Sequence, residues 1–141
     1  MTRPAPSRLD GLLWAAALGL AGVSCWLSLM VPGTNPKVFP GSDKIVHAVV
    51  VAAGVALFLL AAVWRPGRGP GRFPRAAPWI VLGAVTLGGL IEILQGSVFD
   101  GDPELRDWVA DVAGAALGFL VWFLARRASA RRASEGRRLR V

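Results

Sequence analysis

The chain has 141 residues, 54% of them hydrophobic, with a mean hydropathy of +0.51, 17 glycines, one cysteine and a formal net charge of +7. This is too apolar for an ordinary soluble domain and fits a single integral membrane domain. A pI near 11.4 invites a nucleic-acid partner, but the basic residues gather at the ends of apolar stretches, which argues against one, and the lone Cys25 excludes an internal disulfide.

Arg3 and Arg8 precede the first apolar stretch, in which Cys25 is the only ionisable side chain. A spanning helix needs about 20 apolar residues at ~1.5 Å rise, so the charge spacing predicts a helix over about residues 11–31. The run exceeds the roughly 7–15 residues of a signal-peptide core and has no clear small-x-small cleavage site, so it is expected to be retained. Pro32, Pro36 and Pro40 keep the following loop from being helical. Asp43 and Lys44 then introduce a second predicted helix over 45–64, whose one ionisable side chain is His47. The segment from Arg65 to Arg75 is rich in Pro and Gly and reads as an irregular linker. A third helix is expected over 77–98 with Glu92 as its only charge, then a loop with Asp100, Asp102, Glu104 and Arg106, and a fourth helix over 107–125 with Asp111 inside it. Thus an all-α bundle of four transmembrane helices is predicted over 1–125. Residues 126–141 form a basic tail attracted to anionic lipid, at about 1 kcal/mol per basic residue near the surface.

The arginines before the first helix, between the second and third, and after the fourth all fall on one side of such a bundle. Positive-inside bias therefore puts both termini in the cytoplasm. The six tryptophans lie towards helix ends: Trp14, Trp64, Trp79 and Trp122 on the cytoplasmic side, Trp26 and Trp108 on the outer side. Indole rings favour the membrane interface, so they read as an anchoring belt.

Asp43 and His47 are four residues apart, as are Asp107 and Asp111, while Glu92 and Gln95 are three apart. Each spacing places its pair on one helix face. A charged acid at mid-bilayer costs roughly 2.5–3.5 kcal/mol on insertion scales, and somewhat less near an interface. Asp43, Lys44, His47, Glu92, Gln95, Asp107 and Asp111 are therefore expected to share one outward polar pocket, with Lys44 or His47 as partner of Glu92. Simpler readings stand beside this: Asp43 and Asp107 as acids favoured by a helix N-terminal dipole, and His47 as a structural hydrogen-bonding group. Gly114 and Gly118, together with Gly83, Gly88 and Gly89, supply small surfaces for helix packing, within the bundle or between copies. No internal repeat, phosphate loop, dinucleotide glycine pattern or zinc-ligand spacing is present, and no cofactor is expected.

Asp43-Lys44-Ile45-Val46-His47, then Glu92-Ile93-Leu94-Gln95, then Asp107-Trp108-Val109-Ala110-Asp111 running on through Gly114 to Gly118 resembles the VanZ-like membrane protein family over roughly residues 41–122. In that family Asn commonly stands where this chain has Asp111, and many members carry an Arg where this chain has Gly101; the nearest Arg here is Arg106. The resemblance implies a multi-pass protein of the bacterial cell membrane, in a family named for a protein associated with low-level resistance to the glycopeptide teicoplanin. It implies no reaction. The leading expectation is a non-enzymatic protein that binds a lipid headgroup or cell-wall precursor at the pocket. The rival is a metal-dependent membrane hydrolase using His47 with Glu92, Asp107 or Asp111. A transport role would need ionisable groups through the whole membrane, and the cytoplasmic halves of the helices have none.

Overall fold

A computed structural model describes residues 8–30, 39–63, 75–98 and 104–138. They form four helices, α1 (Arg8–Met30), α2 (Ser42–Val63), α3 (Ala77–Ser97) and α4 (Leu105–Arg138), with no strand among the described residues. All four are long and apolar enough to cross a membrane. Helices are the expected response to that composition, because in hydrocarbon each backbone N–H and C=O must find its partner within the chain.

Local chemistry sets the helix ends. Before α2 the chain turns at Pro40–Gly41, where Gly41 has φ +86°, a conformation that a Cβ disfavours, and the Ser42 N–H donates to the Phe39 carbonyl at 3.1 Å. Pro78 lies in the first turn of α3, where its missing N–H costs nothing. Two helices begin three residues before their predicted starts, at Arg8 and Ser42. A larger difference lies in α4, which continues past residue 125 through the arginine-rich segment to Arg138. Ala and Arg are strong helix formers and no proline interrupts them, so nothing at 125 tells the backbone to stop. The basic tail is a helical extension as far as Arg138.

The centre of the bundle is the α2–α4 pair, with α3 against α4, α1 against α2 and a lighter α1–α3 contact; α1 does not pack on α4. Gly114 and Gly118 permit the close approach. A Cβ added at Gly114 would lie 2.9 Å from the Ala48 Cα, and one at Gly118 would lie 2.9 Å from the Ala52 Cα. The small face of α4 is thus used inside the bundle, against a matching small face of α2. One turn on, Val55, Leu59, Ala77, Ala115 and Trp122 form the buried core.

The tryptophans divide. Trp14, Trp26 and Trp79 are exposed near helix ends, as a belt requires. Trp122 is a correction: it is only 6% exposed, packed in the core with Phe119 beside it at 5.9 Å and the Arg126 guanidinium 5.5 Å from its ring centroid. Trp108 is half-buried and reaches across to α3. Trp64 lies outside the described residues. Large apolar side chains such as Leu12, Ile93 and Val121 are exposed on the outer surfaces of the bundle. Helices apolar all round belong in lipid, and these faces are the surfaces that lipid would cover.

Candidate functional site

At one end of the bundle the N-termini of α2 and α4 meet the C-terminal part of α3. Helix N-termini carry partial positive charge, which favours acids there; Asp43 lies in the first turn of α2 and Asp107 in the first turn of α4. Two such ends side by side gather carboxylates, and Lys44 sits among them. Its Nζ donates to Asp43 Oδ2 at 2.9 Å and to Glu104 Oε2 at 2.5 Å, and it also pairs with Asp107 Oδ1.

One turn deeper, His47 Nδ1 lies 3.2 Å from Asp111 Oδ1, and its Nε2 lies 4.0 Å from Asp107 Oδ2. A carboxylate can only accept, so with Asp111 ionised Nδ1 carries the proton and donates. Asp111 is buried, and Gly88 makes room for it: a Cβ at Gly88 would stand 2.6 Å from Asp111 Oδ2. Its neighbour Gly89 does the same for Trp108, whose Nε1–H donates to the Val85 carbonyl at 3.0 Å. The Gly88–Gly89 pair is therefore the flat seat on α3 for two side chains of α4.

Glu92 Oε2 accepts the Glu104 backbone N–H at 2.8 Å, which ties the end of α3 to the start of α4. Sequence reasoning expected Lys44 or His47 as its partner, and the structure supplies a peptide group. Gln95 turns towards α1, where its Nε2 donates to the Ser28 carbonyl at 2.8 Å. Of the residues singled out in the sequence, Asp43, Lys44, His47, Asp107 and Asp111 thus form one continuous network. Glu92 joins it through Glu104, and Gln95 fastens the third helix.

Glu104 is the member that sequence reasoning passed over as a loop acid. It stands immediately before α4 and bridges twice, through its side chain to Lys44 and its N–H to Glu92. The usable signal was an acid directly after Pro103 and ahead of an apolar helix, the same dipole argument applied to Asp43 and Asp107.

The rival hydrolase reading depends on a metal. Among the described residues, the carboxylates of Asp43, Glu104 and Asp107 offer oxygens within 4.8 Å of one another, enough to share an ion. These oxygens already converge on the Lys44 ammonium, so the chain brings its own cation and a metal would have to displace it. His47 lies beside Asp111 and 4.0 Å from Asp107, two of the carboxylates that reading named, and stands outside the Asp43–Glu104–Asp107 group. No family model, curated protein or solved structure matches this chain.

Proposed function

We propose that this is a multi-pass protein of the bacterial cell envelope, VanZ-like in its motifs, that binds the polar part of a lipid at the Lys44–His47–Asp111 network on its outward face. The arginine distribution supports that orientation, with both ends of the chain in the cytoplasm. Asp111 lies six residues into α4, about 9 Å by helical rise from its start.

The observation that carries the reading is the charge balance of the site. Five carboxylates (Asp43, Glu92, Glu104, Asp107, Asp111) surround two bases, Lys44 and His47, and Lys44 is already shared among three of them. An anionic group presented alone is repelled there. A group rich in hydrogen-bond donors is favoured, either the ammonium of an aminophospholipid or the sugar hydroxyls of a lipid-linked cell-wall precursor. The proposed ligand is accordingly a donor-bearing headgroup, and the link to teicoplanin belongs to the same envelope context.

The test is native mass spectrometry of the protein taken from nanodiscs of phosphatidylethanolamine and phosphatidylglycerol, with and without an added lipid-linked cell-wall precursor. The wild type should retain phosphatidylethanolamine, whose headgroup carries an ammonium, in preference to the anionic phosphatidylglycerol, and His47→Ala should weaken that retention about tenfold, corresponding to ~1.4 kcal/mol. Equal retention of all lipids, unchanged in folded His47→Ala protein, would remove the site's role.

A further inference from the structure

Below the polar network the bundle is hollow. A cavity of about 560 Å³ lies between α1, α2 and α3, within the roughly 300–1,000 Å³ typical of ligand pockets. Its walls are apolar, and among the described residues that line it Asp111 is the only charged one.

The cavity is built by omission. Gly54 of α2 and Gly83 of α3 line it, and a Cβ added at either would meet nothing within 4 Å. Their role is thus unlike that of Gly114 and Gly118, which are required by close packing. At its far end Trp14 of α1 meets Phe58 of α2 edge-on, ring centroids 6.0 Å apart, and closes the floor. Leu18 on α1 and Trp79 and Leu87 on α3 line the cavity and are themselves exposed. The opening is therefore lateral, between α1 and α3, into the region that lipid chains fill.

Its dimensions follow the membrane. Trp79 and Ile91 mark its two ends on α3, about 18 Å apart at ~1.5 Å per residue. Trp79 lies two residues from the start of α3, the end opposite the polar network, so a chain that fills the cavity passes the midplane of a ~30 Å hydrocarbon core. A polar ligand finds one carboxylate in it, at the end that joins the headgroup site, and hydrocarbon finds the rest.

We infer that the cavity holds one hydrocarbon chain of a membrane lipid that enters sideways between α1 and α3, with its polar end at Asp111 and His47. This rests on the functional reading above and adds where the chain goes. The occupant is a lipid of the outer leaflet, because only a lipid of that leaflet points its headgroup to the Asp111 end and its chain towards Trp14 and Trp79.

The experiment uses phosphatidylethanolamine carrying a diazirine in one acyl chain, mixed into phosphatidylethanolamine–phosphatidylglycerol vesicles that contain the full-length protein. After irradiation, adducts are mapped by mass spectrometry. Adducts should concentrate on Ala21, Cys25 and Val51 over the outward-facing Val23 and Val49, and Gly83→Leu should reduce the cavity adducts to the level of those outer positions. Equal labelling of inner and outer positions in the wild type overturns the inference without recourse to any variant. So does cavity labelling that persists in folded Gly83→Leu and Gly54→Leu proteins. The two readings fail separately: selective headgroup retention lost in His47→Ala, combined with no preference for the cavity positions, leaves the polar site standing and removes the chain from the cavity. Preferred cavity labelling that ignores headgroup chemistry does the reverse.

Discussion

Lys44 carries more of the polar end than any other residue, since its ammonium is the common partner of Asp43, Glu104 and Asp107. Breaking one side of a fully buried ion pair costs roughly 3–5 kcal/mol. The Lys44 side chain is 23% exposed, and its replacement by Met should therefore cost less, about 2 kcal/mol. The loss should appear as a lower melting temperature in detergent at pH 7.5. An unchanged melting temperature would mean that Lys44 does not hold the three carboxylates together. Gln95→Ala tests a different bond. It removes the tie to the Ser28 carbonyl and should loosen α1 by about 1 kcal/mol, read by hydrogen exchange of α1 amides, while lipid retention at the network stays as in the wild type.

Among the elements, the glycines separate into two physical classes that no count of glycines distinguishes. Gly114 and Gly118 press against the backbone of Ala48 and Ala52, whereas Gly54 and Gly83 face empty space. Gly118→Ala should force α2 and α4 apart and destabilise the fold by about 1–3 kcal/mol, the usual cost of overpacking. Gly83→Ala should be neutral or stabilising by up to ~1 kcal/mol through helix propensity. Denaturation with a graded detergent mixture compares the two directly, and equal effects would contradict the close α2–α4 approach. The Gly114–Gly118 spacing was legible as a packing motif, but its partner was not. A small-residue stripe states that something comes near; which helix comes near depends on the path of the loops and the rotation of both helices.

For the whole molecule, the sidedness inferred from the arginines has a direct check in a Cys25→Ser background. A membrane-impermeant maleimide added to intact cells should label Val98→Cys, at the polar-network end of α3, and should reach Ser129→Cys, on the extension of α4, only after permeabilisation. The opposite pattern would turn the network to the cytoplasm and make the cavity's occupant a lipid of the inner leaflet. The same scale explains why the Trp residues did not behave as one class. Position near a helix end describes depth alone, and depth is shared by the exposed Trp79 and the buried Trp122; only their direction around the helix axis separates them.

The four spans, their order, their membrane-spanning length and apolarity, and the one end at which the acids collect follow from the sequence by itself. The reason is that the free energy of a stretch in hydrocarbon is a sum over consecutive residues, and a helix satisfies its own backbone within that stretch. Tertiary structure alone decided that Asp111 lies on Gly88 beside His47, that Glu92 answers to a peptide N–H of Glu104, that Gln95 bonds to Ser28 of α1, and that Trp122 is core. It alone hollowed a cavity between α1, α2 and α3. Helices that are apolar on every face leave no stripe to report which way they turn, so rotation and neighbour choice are fixed only when small residues, ion pairs and hydrogen bonds on different helices find one another in three dimensions.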